Sequence, residues 1–328
     1  MRRFAETEDL PAVVHDALGA GCRITGVDRL RGGSKKGVYR VRLDGSAEAS
    51  VIVYRWAEDE NFWPGAAVHD PANPFSSASG LEHFLTAQRK LDGLGARVPR
   101  VLLADDSRRR FAADVAVVED IDGGTLEALL ETDPGRAAAT LDDLARTLDL
   151  MGRHQAPHYG KVGLLEKGGV ARGSSCEQLV LDRALRHLEE AAGRDTRIKA
   201  ARNRLDERLR ELAALVTPRN EFGLIHGELG PDHVLVDPDG RAVLIDIEDL
   251  MYFDVEWEHV FLDLRFNERY EALARPGLDP QRLGLYMLAM RLSLVAGPLC
   301  LLDGDFPDRK AMRGIAEHNL REALALLP

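Results

Sequence analysis

Six side chains able to bind or move charge crowd one short stretch late in the chain: His226, Glu228, Asp232, His233, Asp246 and Glu248. Among them run two apolar segments, Val234 to Val236 and Ala242 to Ile245, separated by Asp237-Pro-Asp-Gly240. That tetrapeptide carries the residues of a tight reversal, with Gly240 free to take positive φ. The pattern predicts a hairpin with Glu228 and His233 at one mouth and Asp246 and Glu248 delivered to the same end. Four polar groups converging beside a buried hairpin are costly unless they bind something. A carboxylate at a strand end suits Mg2+, which prefers hard oxygen ligands.

This arrangement resembles the catalytic centre of the aminoglycoside phosphotransferase and choline-kinase group, the small-molecule relatives of protein kinases. Their catalytic loop reads His-Gly-Asp-x-x-x-x-Asn, and a strand ending in Ile-Asp-x-Glu follows it. The corresponding positions here are His226, Gly227, Glu228 and His233, then Ile245, Asp246 and Glu248, with the spacing kept. The resemblance implies an α+β, bilobal protein-kinase-like fold with a five-stranded antiparallel N-lobe and a mostly helical C-lobe. It implies phosphoryl transfer from ATP or GTP with Mg2+, a reaction that asks for metal and in-line positioning and little covalent work from the protein. Asp246 then becomes the metal-binding acid, with His233 and Glu248 beside it as ligands. Glu228 would orient the attacking hydroxyl or accept its proton, and His226 would order the loop. Glu258 is the acid expected to hydrogen-bond that loop, and Asp232 is either a solvated turn carboxylate or shares the base role.

Two residues depart from the family pattern. Glu228 is one methylene longer than Asp, and a displacement of about 1 Å can cost roughly 100-fold in rate, so the backbone or the substrate must compensate. His233 puts an imidazole nitrogen where the family has an amide oxygen, a poorer Mg2+ ligand. A second metal site that is weakened, or shifted toward Mn2+, is expected.

The elements that must position these groups can be read along the chain. Residues 8–19 have the apolar spacing of a short amphipathic helix, and β signals follow at 22–30, 37–43 and 49–56. Between the first two strands lies Arg31-Gly-Gly-Ser-Lys-Lys-Gly37. A Gly-rich turn brings backbone N–H groups close to phosphate oxygens, where a Cβ would intrude. Gly32, Gly33 and Ser34 are therefore expected to cover the nucleotide triphosphate, as this loop does in the resembling family. The third strand, Val51-Ile-Val-Tyr-Arg-Trp56, lacks the Lys that the family sets against the phosphates. By period-2 alternation Arg55 shares a face with Val51 and Val53, and it is either the cation available there or a solvent-facing residue at the strand end. Glu82, on a helix predicted over 80–93, is its expected partner. Strands at 97–103 and 114–120 complete the sheet. Glu119 opens a hinge, where the family rests the adenine base, between an N-lobe (1–120) and a C-lobe (121–328). Helices are predicted at 125–132, 135–154, 176–193, 197–216, from 254, and at 281–302 and 309–327. The long loop 57–80 is either functional or disordered, and its Phe62 and Trp63 need somewhere to bury.

A chain of 328 residues holds one large domain or two lobes, and 45% hydrophobic with 30% charged residues is ordinary for a soluble globular protein. The first ten residues contain no apolar run, so no secretory leader is expected, and no uninterrupted apolar stretch suggests a membrane span. Cys22, Cys176 and Cys300 are scattered and read as free thiols in a reducing cytoplasm. The net charge of −11 is uneven: residues 1–120 hold 17 Lys/Arg and 18 Asp/Glu, and 121–328 hold 26 and 36. An acidic second part disfavours nucleic acid and would draw in a cationic substrate. The leading expectation is a kinase of a small hydroxylated acceptor, an aminoglycoside-type antibiotic or a metabolite. The alternatives are a pseudokinase that binds a nucleotide or partner without transfer, and a kinase fold performing nucleotidyl transfer.

Overall fold

The computed structural model describes residues 2–30, 33–63, 70–76, 78–109 and 111–328. In chain order its elements are α1 (Pro11–Leu18), β1 (Arg23–Arg29), β2 (Gly37–Asp44), β3 (Ser50–Trp56), α2 (Leu81–Leu94), β4 (Val101–Asp105), β5 (Asp114–Glu119), α3 (Leu126–Thr132) and α4 (Pro134–Arg153). Then come β6 (Gln155–Ala156), β7 (Gly160–Lys161), α5 (Val162–Glu166), α6 (Cys176–Ala192), α7 (Thr196–Ala214) and β8 (Phe222–Ile225). The chain ends through β9 (Val234–Val236), β10 (Ala242–Leu244), β11 (Met251–Phe253), α8 (Val255–Phe266), α9 (Pro280–Asp303) and α10 (Arg309–Ala325). They form two compact units, each discontinuous in sequence.

The first unit is Met1–Trp63, Ser77–Thr140 and Asp232–Glu248. Its five-stranded sheet is antiparallel with order β1-β2-β3-β5-β4. Alternation sorts the side chains of β3 onto two faces. Val51 and Val53 join Tyr39, Val41, Val115 and Val117 in a core completed by Leu10, Val13 and Val14 of the α1 region. Tyr54 and Trp56 point the other way and meet Phe84 of α2, with ring centroids 5.4 and 5.8 Å apart. The strand expected over 97–103 begins only at Val101: Pro99 has no N–H to donate, and the Arg97 carbonyl accepts from Leu244 N at 2.9 Å.

The predicted hairpin is present, with Val234 facing Leu244 and Val236 facing Ala242. Its turn is fixed by the Asp237 carboxylate, which accepts from Asp239 N (3.0 Å) and Arg241 N (2.8 Å). Gly240 takes φ +79°. The hairpin belongs with the sheet, whereas the sequence division at 120/121 assigns it to the second lobe. The reason is close backbone packing: Val236 N donates to Gly124 O at 3.0 Å, and a Cβ on Gly123 would lie 2.0 Å from Val236 O.

The second unit is Pro64–Ser76, Leu141–Pro231 and Asp249–Pro328. A four-stranded sheet of order β6-β8-β11-β7 sits among helices, and α9 packs on α6, α7, α8 and α10. By length and composition α9 could cross a membrane, but 56% of its apolar window is buried, which marks it as the core helix of this unit. Asp279 caps it by accepting from Gln281 N at 2.8 Å, with Pro280 at the first helical position. Arg282 in its first turn is 1% exposed and reaches Asp254 at 2.8 Å and Thr217 O at 2.7 Å. That pair fixes the start of α8, which carries Glu258.

Candidate active site

In the first unit a lysine, Lys36, joins two segments 210 residues apart in the chain. The residue precedes β2 in the Gly-rich turn and is 7% exposed. Nζ lies 2.8 Å from Asp246 Oδ1 and also donates to Glu248 Oε1. The ammonium stands 5.0 Å over the Tyr54 ring. Burial would lower the Lys36 pKa, but Asp246 and then Glu248 outweigh it and raise it. Lys36 in turn holds Asp246 well below the usual carboxylate range, while burial raises Glu248. Asp246 takes φ +58°, a left-handed conformation that Asp tolerates better than most residues. Its side chain remains 47% exposed, against 7% for Glu248. His233 Nε2 is 3.8 Å from Asp246 Oδ2 and 3.9 Å from Asp232 Oδ2.

The cation expected on β3 is engaged elsewhere. Arg55 does share the face of Val51 and Val53, but that face is the α1 core. Its Nη1 binds Glu60 Oε1 and the Arg3 carbonyl, each at 3.0 Å. The expected Arg55–Glu82 pairing is thus replaced by Arg55–Glu60. Glu60 is fully buried and also receives Arg29 (2.9 Å) and the Tyr39 hydroxyl. It backs the Gly-rich turn, since a Cβ on Gly37 would meet its carboxylate at 2.5 Å. Gly33 is similarly confined, its Cβ position 2.6 Å from Lys36 O. Ser34 Oγ accepts from Trp63 Nε1 at 3.1 Å and its carbonyl from Phe62 N at 2.8 Å. The two aromatics expected to bury therefore pin residues 57–63 to the turn. Gly32 lies outside the described residues. The Glu119 carboxylate is taken by Arg97 Nη2 at 2.7 and 2.8 Å, which leaves backbone, not this side chain, for any contact with a base.

In the second unit the loop after β8 is held by Glu258. Its carboxylate accepts from the backbone N–H groups of His226, Gly227 (3.0 Å) and Leu229 (3.4 Å), as the sequence led us to expect. Gly227 takes φ +99°, a conformation a side chain would resist. His226 is fully buried and Leu229 likewise, while Glu228 between them is exposed. The loop is thus anchored on both sides of a carboxylate that faces outward. Lys161, 5% exposed, closes on Asp249 through its carboxylate and, at 3.3 Å, its carbonyl.

Asp246, His233 and Glu248 were expected to bind metal together. Among the described residues no set of three or more His, Cys, Asp or Glu side chains gathers to hold a metal ion. Asp246 and Glu248 do converge on one cation, the Lys36 ammonium. Buried Glu248 Oε2 has no hydrogen-bond partner among the described residues. Two hard carboxylates with spare acceptor capacity fit Mg2+, which is commonly held by one or two carboxylates plus substrate phosphates and water. Lys36 escaped the sequence reading although its position was informative. The even-numbered residues of β2 face away from Tyr39 and Val41, and running that alternation back by one step puts Lys36 on the Tyr54 face.

An antiparallel five-stranded sheet with a confined Gly-rich turn, and a helical unit carrying a braced His-Gly-Glu loop, define a protein-kinase-like fold. The chain matches the phosphotransferase enzyme family (APH) over residues 28–278 and belongs to it. Among solved structures it is similar to spectinomycin phosphotransferase APH(9)-Ia in complex with ADP and spectinomycin, with 14% identity, 99% of each chain covered and a TM-score of 0.67. It is also similar to a thermostable aminoglycoside phosphotransferase APH(4)-Ia variant in ternary complex with ADP and hygromycin B, with 19% identity, 95% of this chain and 98% of that one covered, and a TM-score of 0.63. LicA in complex with AMP aligns with 14% identity over 97% of this chain and 98% of that one, TM-score 0.60. None of the curated proteins compared matches the chain.

Proposed function

We propose that the protein transfers a phosphoryl group from ATP or GTP to a hydroxyl of a small molecule in the cytoplasm. The observation that carries this reading is the Lys36–Asp246–Glu248 cluster, which brings a Gly-rich turn and the catalytic hairpin together across 210 residues. Such a cluster has the charges a triphosphate and its metal ion require. The similar structures bound to ADP with spectinomycin or hygromycin B support a nucleotide and a small acceptor, and three free cysteines agree with a reducing compartment.

In this reading Asp246 and Glu248 would hold Mg2+, which neutralises phosphate charge when bound. Lys36 then turns its ammonium to phosphate oxygens, replacing the lysine absent from β3. Gly33 lets the turn's backbone come close to phosphate. Glu228, exposed on its braced loop, orients the acceptor hydroxyl and takes its proton. Net charge alone supports a cationic, aminoglycoside-type acceptor, and Arg183 near Glu228 opposes one.

Glu228→Gln tests the assignment. We expect turnover to fall by about 100-fold or more, the scale of a lost general base, with nucleotide affinity within twofold of wild type. Full turnover in that variant would refute Glu228 as the base, and no turnover of any hydroxylated acceptor by wild type would favour the binding-module alternative.

A further inference from the structure

The second unit holds a cation that the phosphoryl-transfer reading does not use. Arg183, on α6, is half-buried. Its guanidinium lies over the rings of Phe75 and Trp257, 4.5 and 5.5 Å from their centroids. Those rings touch each other at 5.1 Å, and Phe253 meets both, at 5.3 and 6.3 Å. Among the described residues the Arg183 guanidinium has no hydrogen-bond acceptor and no carboxylate in salt-bridge range, whereas Lys161 of the same unit is closed on Asp249. Burial lowers the Arg183 pKa and Arg186 opposes its charge, while Glu228 and Asp249 act in its favour, so the group lies within electrostatic reach of the proposed base. His187, one turn on, is kept neutral by burial and by Arg183 and Arg186, its pKa pushed down to about 3.

A guanidinium is a planar fork of five N–H donors. Stacked on aromatic rings, it has a face covered and its edge left to bond. A half-buried charge with unused donors is expensive until something completes it. The group that fits an edge is a carboxylate, whose two coplanar oxygens accept two parallel hydrogen bonds. An ammonium-bearing acceptor would meet repulsion at the same place.

We infer that the molecule bound beside Glu228 carries a carboxylate that docks on the edge of Arg183. The inference rests on the phosphotransferase reading only in calling that molecule the acceptor. The bland alternative is that Arg183 merely pins residues 70–76 onto α8.

The test reads binding in the full chain. Three probes share a benzyl alcohol and differ at the para position: carboxylate, carboxamide or aminomethyl. Each is titrated by calorimetry into wild type and Arg183→Met, which keeps apolar packing on the rings but loses the fork. We expect the carboxylate to bind wild type about tenfold tighter or more than the other two, the scale of a charged two-point contact, and the three to converge within twofold in Arg183→Met. If Arg183→Met does not fold, Arg183→Lys is read instead, and its preference should shrink several-fold because a point charge replaces the fork. Equal binding or none by the three probes, tighter binding of the amine, or a preference that survives loss of the fork overturns the inference. Carboxylate-selective binding without phosphorylation of the probe leaves the inference standing, whereas the kinase reading falls only if no hydroxylated acceptor is turned over.

Discussion

Replacing Lys36 with Met should weaken nucleotide binding and destabilise the first unit by separable amounts. Methionine keeps most of the apolar stem and removes the ammonium from between Asp246 and Glu248. Asp246 is 47% exposed, so water takes over much of its solvation; Glu248 is 7% exposed and cannot be rescued that way. Breaking a buried pair costs roughly 3–5 kcal/mol, and with one acid half in water the low end, about 3 kcal/mol at neutral pH, is expected. Burial already raises Glu248. A raised carboxyl contributes stability below its unfolded pKa and loses it as pH rises through the folded one, so the variant should recover toward acid pH. A lost charged hydrogen bond to phosphate is worth about 1.5–3 kcal/mol, roughly 10- to 100-fold in nucleotide affinity. Thermal denaturation across pH reads the first effect and titration with a fluorescent nucleotide the second. Adding Tyr54→Lys supplies an ammonium from β3, where the ring now lies 5.0 Å from Nζ, and should restore affinity at least severalfold. Unchanged nucleotide affinity in Lys36→Met, with only the melting point lowered, would refute Lys36 as a phosphate ligand and leave it a structural ion pair.

Two further perturbations test the second unit. Glu258→Gln removes the charge that three loop N–H groups share and should cost about 1–3 kcal/mol of stability, with kcat lowered more than nucleotide KM changes; kinetics and denaturation of one preparation read both. His259 is 5% exposed, bonded to Tyr270 at 3.1 Å, and pushed down to about 4 by burial and Arg275. Because its folded pKa is depressed, the unfolded chain binds the extra proton between about pH 4 and 6.5, and stability is lost as pH falls through that window. The loss reaches about 2 kcal/mol by pH 5, and His259→Gln should flatten the melting-temperature profile there; an unchanged profile would exclude His259 as its source.

Much of this architecture was readable from local pattern. Apolar β signals mark the five strands and Asp237-Pro-Asp-Gly240 marks the hairpin, whereas Glu258 as the brace of the loop after β8 comes from the family resemblance. What failed were choices among partners. Arg55 was assigned to the correct face of β3, but nothing local says that this face packs on α1 and that Glu60, five residues on, is already buried behind the turn. Lys36 and Asp246 are 210 residues apart, and no periodicity spans such a separation. The hairpin's unit was equally hidden, because it depends on Gly123 and Gly124 letting a linker backbone lie against β9. The rings under Arg183 come from segments near 75 and 257, and only the packed structure brings them together.

The most direct test of the central assignment is calorimetric titration of AMP-PNP into wild type and Asp246→Asn, with Mg2+, with Mn2+ and without metal. The account predicts that wild type binds the nucleotide at least tenfold tighter with metal, and that Asp246→Asn loses this dependence because one of the two converging carboxylates is gone. Metal-dependent binding that persists undiminished in Asp246→Asn, or the absence of any nucleotide binding by wild type, would contradict it.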